Sequence, residues 1–174
     1  QLYQFGQLGQ ALEASLQQDP SVTLRLLNIG TESGTGQAQV QAADALLKAD
    51  PKLNYLGYIE PHEIFEGQAS IVICDGYAGN ILIKSGEGVS NMLAHSLIEN
   101  LTNSDLTQVQ LEKIMQTWQS QFDPNRLNGA FLLGLQGLVV KSHSYANAAA
   151  LQYAIEATQG YVEMQVAKRL QEDS

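Results

Sequence analysis

The sequence is short of several things, and each shortage removes a class of function. It has a single cysteine, Cys74, inside the apolar run "IVIC", so it can build neither a disulfide framework nor a thiolate zinc site. Cys74 itself reads as core rather than nucleophile. A reducing cytoplasm is the simplest home for such a chain. Nine Lys and Arg stand against eighteen Asp and Glu, a formal net charge of -9. Phosphate-backbone binding needs a basic face, so a nucleic-acid partner is disfavoured, and so is electrostatic attachment to anionic lipid. No run approaches ~20 apolar residues, which argues against a membrane-spanning helix. His62 and His95 lack partners at metal-ligand spacing, so no metal site is expected. The chain opens at Gln1 with no secretory signal and no methionine, which suggests a fragment.

What is present fits one α/β unit over residues 1–174, with 44% apolar residues, enough for a real core. Leu2, Phe5, Leu8, Leu12 and Leu16 fall at helical spacing, and Asp19-Pro20 ends that helix. "VTLRLLNIG" (22–30) reads as a strand, "TESGTGQ" as loop, and 37–49 as helix, with Val40, Ala43, Leu46 and Leu47 as its buried stripe. Asp50-Pro51 breaks it. Strands follow at 53–59 and 70–75. Strands alternating with helices mark βαβ units around a parallel sheet, whose ligand sites lie at the carboxyl ends of strands. Asn28, Gly30, Glu60, Asp75 and Gly76 all fall at such ends.

Residues 89–101 read as helix, and a second long helix follows near Ser104 through Leu111, Met115, Trp118 and Phe122. "NLTNSD" between them is a turn, which makes the two an antiparallel arm of the kind that packs against a twin. "GAFLLGLQGLVVKSH" (129–143) holds at least one strand. A last helix runs from about Asn147 to Leu170, with Leu151, Ile155, Thr158, Val162, Val166 and Leu170 on one side.

The stretch "IVICDGYAGNILIK" (71–84) admits two readings that pattern leaves balanced. Asp-Gly between apolar runs is a hairpin signal. Equally, the stretch is a strand, a loop and a helix starting near Gly79 or Asn80. Gly86 and Gly88 oppose that helix at about 1 kcal/mol each, while glycines let a helix approach a sheet closely. On the helix reading, free N–H groups at the helix start attract an anion, and Lys84, one turn in, leans back toward it. As a bland alternative, Lys84 is a solvated lysine. "VVKSH" sets Lys141 and His143 on one face of a strand or its end. A cation beside a titratable imidazole suits anion binding and proton transfer, and a half-buried strand with a polar face fits equally. "ESGTGQ" is neither a P-loop nor G-x-G-x-x-G, so a nucleotide-using dehydrogenase finds no support in the loops. There is no G-x-S-x-G elbow.

In order and spacing, "LLNIGTESGTG", "LNYLGYIEPHEIFEGQASIVICDGYAGNILIKSGEGV" and "GLVVKSH" resemble the bacterial phosphate acyltransferases of phospholipid synthesis, the PlsX family. The match runs over nearly all of the chain but only over the family's C-terminal half. The family's Asp-Ala-Met-Gly-Gly-Asp opening, which belongs to the other half, has no counterpart here. The resemblance implies conversion of acyl-(acyl carrier protein) and inorganic phosphate to acyl phosphate, with no cofactor. It also implies a fold similar to the isocitrate and isopropylmalate dehydrogenases: three α/β/α layers, a mostly parallel sheet, and a helical-pair arm at about 89–122 that makes a homodimer. Peripheral membrane association is implied too, although the expected arm tip is polar. A non-catalytic dimerisation or carrier-binding fragment is the competing reading.

Carried over by motif, the site comprises Asn28, Gly30, Asp75, Gly76 and Gly79 as phosphate- or acyl-binding positions. Lys84 and Lys141 are the clamps on phosphate or oxyanion, His143 is an acid/base, and Asn80 is a donor at the helix start. Acyl carrier protein is acidic, so docking falls to local basic residues such as Lys113 or Arg126. The run "KSHSYAN" departs from the family's pattern: Ser144 stands where a glycine is usual and Asn147 where an aspartate is usual, the latter removing a charge.

Overall fold

The leucine stripe at the start of the chain does form a helix, α1 (Leu2–Gln17), and the apolar run after it forms β1 (Leu24–Leu27). The computed structural model describes residues 1–17, 22–102, 106–122, 128–135, 137–144 and 146–163. Next come α2 (Ala38–Ala49), β2 (Tyr55–Ile59), the single turn α3 (Pro61–Ile64) and β3 (Ile71–Ile73). The three strands are all parallel, in the order β2-β1-β3, with β1 central. This is the α/β class expected from the alternation of strand and helix patterns.

The core lies where α1 and α2 cover one face of this sheet. Leu24, Leu26 and Ile73 point into it from the strands and meet Ala43 and Leu47 of α2, with Tyr58 closing the cluster. Each large apolar side chain buried there is worth about 1.5–3 kcal/mol. Polar staples fix the helices in place. Tyr55 Oη donates to Asp44 Oδ1 at 2.8 Å, and Tyr3 Oη donates to Asp50 Oδ2 at 2.8 Å. Gln10 holds the start of β2 in both directions, donating to the Lys52 carbonyl at 2.8 Å and accepting from the Asn54 N–H at 3.0 Å. Of the stripe expected on α2, Ala43 and Leu47 are buried but Leu46 is 55% exposed. At 100° per residue Leu46 sits a quarter-turn off the line through Ala43 and Leu47.

The largest correction concerns residues 76–102. They form one helix, α4 (Gly76–Thr102), of 27 residues, where sequence patterning left 71–84 balanced between a hairpin and a helix starting near Gly79 or Asn80, and read 89–101 as helix. The hairpin reading fails, because residues 79–84 are helical. Gly86 is accommodated because it lies against the ring of Phe65, where a Cβ would come within 3.3 Å of Cζ. Close tertiary approach thus offsets weak helix propensity.

α5 (Gln108–Phe122) packs on α4, and Ser90 Oγ donates to the Phe122 carbonyl at 3.1 Å. Of the expected turn "NLTNSD" (100–105), residues 100–102 are instead the last of α4 and residues 103–105 lie outside the described residues. β4 (Ala130–Phe131) and β5 (Val140–Lys141) make a small antiparallel sheet of their own. The last helix, α6 (Ala148–Glu163), buries Ala150 and Ala154, while Leu151, Ile155 and Val162 stay exposed. Val166 and Leu170 lie outside the described residues.

Candidate functional site

Parallel pairing brings the expected loops together. Leu26 is in register with Ile73, so the chain reaches Asn28 and Asp75 side by side, two residues further along neighbouring strands. Asn28 is 6% exposed. Its backbone N–H donates to the Ile59 carbonyl at 3.0 Å, which ties the ends of β1 and β2. Its Nδ2 is shared among the Gly30 carbonyl, the Thr35 carbonyl and Thr35 Oγ1, each at 3.1 Å. The carboxamide therefore holds the 30–36 loop from within. From outside, Gln41 Nε2 donates to the carbonyls of Gly34 at 2.8 Å and Gly36 at 3.0 Å. Sequence patterning does not single out Gln41. As one glutamine on a helix face, it gives no signal of its own there.

At the end of β3, Asp75 begins α4. Its Oδ1 accepts from the Ala78 N–H at 2.7 Å, and its carbonyl accepts from the Gly79 N–H at 2.9 Å. This is an N-cap: a carboxylate satisfying a helix-start donor that has no partner within the helix. Glu60, at the end of β2, does similar work for α3, in a reciprocal capping box with Glu63. Gly79 is buried against Cys74, and a Cβ there would lie 2.9 Å from Sγ. Burial, reinforced by the charge of Asp75, pushes the Cys74 thiol above its ordinary pKa. That keeps it protonated, although Cys74 is only half-buried and stands outside the buried core cluster, short of the core role expected of it.

Because α4 starts at Gly76, Asn80 stands in its second turn rather than at its start. Lys84 follows one turn later on the same face, two turns from Gly76 and about 12 Å along the axis at the helical rise. Both are exposed. A groove of about 430 Å³ runs beside Asp75 and Gly76, walled by Leu2, Tyr3 and Phe5 of α1 and by Gln39, Ala43 and Leu46 of α2. Gln39 Nε2 approaches Asp75 Oδ2 across it at 3.5 Å.

Lys141 and His143 belong to the second sheet. Lys141 lies on β5 and is exposed, and His143, just beyond it, is half-buried. The His143 N–H donates to Asn128 Oδ1 at 3.0 Å, and its carbonyl accepts from the Ala146 N–H at 3.2 Å. Asn147 then caps α6, its Oδ1 accepting from the Ala150 N–H at 2.8 Å. Asparagine caps as well as aspartate, so the departure at this position keeps the cap and drops only the charge. The expected site residues thus fall into two groups. Asn28, Gly30, Asp75, Gly76 and Gly79 cluster at the carboxyl edge of the parallel sheet, with Asn80 and Lys84 following along α4. Lys141 and His143 form the other.

Against known families, residues 1–169 match the model described as fatty acid synthesis protein. The chain belongs to that family. Members similar to it include the phosphate acyltransferase of Shewanella loihica, 36% identical over an alignment 174 positions long that covers 98% of this chain and 51% of that protein. The phosphate acyltransferase of Pseudomonas savastanoi pv. phaseolicola is 43% identical over 160 residues, 89% of this chain and 46% of its own. The chain therefore spans about half the length of the family relatives it matches.

Proposed function

We propose that this chain is the substrate-handling half of a phosphate acyltransferase, moving a fatty acyl group from the thioester of acyl carrier protein to inorganic phosphate. The product is acyl phosphate, for phospholipid synthesis. The observation that carries this reading is the family match over residues 1–169, together with relatives named phosphate acyltransferase. A phosphate oxygen attacks the thioester carbonyl, the C–S bond breaks, and the proton of the hydrogen phosphate passes to the departing thiolate. Phosphomonoesters have a second pKa of about 6, so by analogy a phosphate dianion is available near neutrality, and a thiol of pKa about 8.5 leaves readily. Position and charge stabilisation are what the protein must supply. In this reading Lys84, Lys141 and Asn80 hold phosphate and oxyanion, and His143 handles the proton. The 30–36 loop and the start of α4 shape the pocket.

The finer architecture follows from the same reading: a three-layer sheet like that of the isocitrate and isopropylmalate dehydrogenases, and a homodimer through α4 and α5. Exposed Met92, Leu93, Val109 and Phe122 on those helices support the second point. The compartment is the cytoplasm, with peripheral contact at the membrane. No helix among the described residues is long and apolar enough to cross one. A second reading, a non-catalytic carrier-binding or dimerisation half, is favoured by the half-length coverage. To separate the two, the protein is incubated with acyl carrier thioester and phosphate, and acyl phosphate is sought by mass spectrometry. Product from this chain alone sinks the second reading. Product that appears only when a relative's other half is added supports it. None under either condition overturns the acyl-transfer proposal.

A further inference from the structure

We propose that Asn128 is the positioning residue for His143. The inference rests on the acyl-transfer reading, in which His143 handles a proton. Asn128 is 3% exposed, and its carboxamide engages separate pieces of the chain. Nδ2 donates to Ser142 Oγ at 2.8 Å and to the Ala150 carbonyl at 2.8 Å, while Oδ1 accepts from the His143 N–H at 3.0 Å. The run just after Lys141 is thereby fastened to the first turn of α6. The backbone of His143 is held, and with it the direction in which its imidazole leaves the chain.

The carboxamide has little room to move. The next residue, Gly129, has φ +114°, and a Cβ there would lie 3.1 Å from Ala154 Cα, so the segment is pressed onto α6. Few other side chains would serve. Aspartate keeps the acceptor for His143 but loses both donors and sets a carboxylate against the Ala150 carbonyl. Serine is too short to span the elements, and glutamine is a methylene too long for a segment already in contact. Sequence patterning gives no hint of this residue, because its partners are brought together only by the fold.

The test is amide hydrogen exchange of His143 by NMR in the whole chain, as wild type, N128A and N128D, alongside titration with inorganic phosphate followed on the His143 imidazole resonance. In N128A the His143 amide is expected to exchange about tenfold faster or more, the size expected for loss of a buried hydrogen bond, and the phosphate response to weaken about tenfold. The amide of Leu26 in the other sheet should keep its protection. N128D should retain His143 protection through its remaining acceptor. Unchanged His143 exchange in folded N128A overturns the proposal. If N128A does not fold, N128S, whose side chain is too short to reach the His143 N–H, decides: faster His143 exchange supports the proposal and unchanged exchange overturns it. A wild-type His143 signal that ignores phosphate sinks the acyl-transfer reading of His143 and reduces Asn128 to a fold staple.

Discussion

The carboxamide of Asn28 fills the space that a side chain at position 36 would need. A Cβ on Gly36 would run into Oδ1 and lie 3.0 Å from Nδ2, and Gly36 has φ +85°. Gly34 shares the backbone conformation, at φ +87°, but has nothing within 4 Å of a Cβ. Gly34→Ala should therefore cost only the left-handed strain, about 1–2 kcal/mol. Gly36→Ala should add an overpacking penalty, for about 3 kcal/mol or more in all. Urea unfolding of the two variants gives the comparison. Equal losses would mean that the Asn28 carboxamide moves aside freely and does not organise the loop.

The two glycines on α4 make a second contrast. A Cβ at Gly79 would press on Cys74 Sγ, whereas one at Gly88 meets nothing within 4 Å. Gly88→Ala is expected to stabilise by about 0.5–1 kcal/mol through helix propensity, and Gly79→Ala to destabilise by about 1–3 kcal/mol. Cys74→Ala should recover part of the Gly79→Ala loss. Strict additivity in that double-mutant cycle would rule out the contact as the cause.

Asp75 has to be weighed as a cap and as a neighbour of an anion. Asp75→Ala removes the bond to the Ala78 N–H and should cost about 1 kcal/mol, whereas Asp75→Asn keeps a cap and should be close to neutral. If phosphate binds by the start of α4, loss of the carboxylate removes a like-charge repulsion. Asp75→Asn should then bind phosphate more tightly than wild type by calorimetry. Weaker binding would show the carboxylate to be needed in the site.

The Cys74 thiol carries a pH signature. Burial, and then the Asp75 charge, raise its folded pKa, so the native state holds its proton longer than the unfolded chain does. Stability from this group is complete below the unfolded thiol pKa of about 8.5 and declines as pH rises from there toward the folded value. Iodoacetamide labelling of the native protein should show its rate midpoint at higher pH than labelling in urea. Coincident midpoints would contradict the partial burial and the Asp75 charge as its causes.

For Lys84, two turns into α4, the acyl-transfer reading expects a charge role at a distance from the helix start. Lys84→Ala should lower acyl phosphate formation about 100-fold, the scale of one stabilising group lost from a transition state. Lys52→Ala, remote at the start of β2, should leave the rate unchanged. Equal rates in the two variants would remove Lys84 from the site.

Much of the parallel sheet is legible in the sequence because its signals are local. Apolar runs and the Asp50-Pro51 break mark α2 and β2 to within a residue or two, whereas β1, expected over 22–30, spans only Leu24–Leu27. The same runs put Asp75 and Asn28 at strand ends. The start of α4 is not legible, since Asp75-Gly76 reads equally as a turn and as a cap followed by a first helical residue. Only the neighbouring β1 decides between them. Gly86 looks like a breaker because its compensation, the ring of Phe65, comes from a separate element. The inward turn of the Asn28 carboxamide and the three-way grip of Asn128 are illegible for the same reason. Both depend on partners distant in the chain, with no periodicity to announce them. Lys141 and His143 can be recognised as a pair, but their confinement to a second sheet cannot.

The Asn147 cap on α6 has a further consequence. A carboxamide neither takes up nor releases a proton, so the hydrogen bond that starts α6 survives across any acidity at which the chain stays folded. The backbone of His143, four residues earlier, is tied through Asn128 to the first turn of that same helix, so one end of its support rests on a bond that acidity does not touch. The scaffold on this side of the molecule is thereby started by a group that carries no charge at any pH.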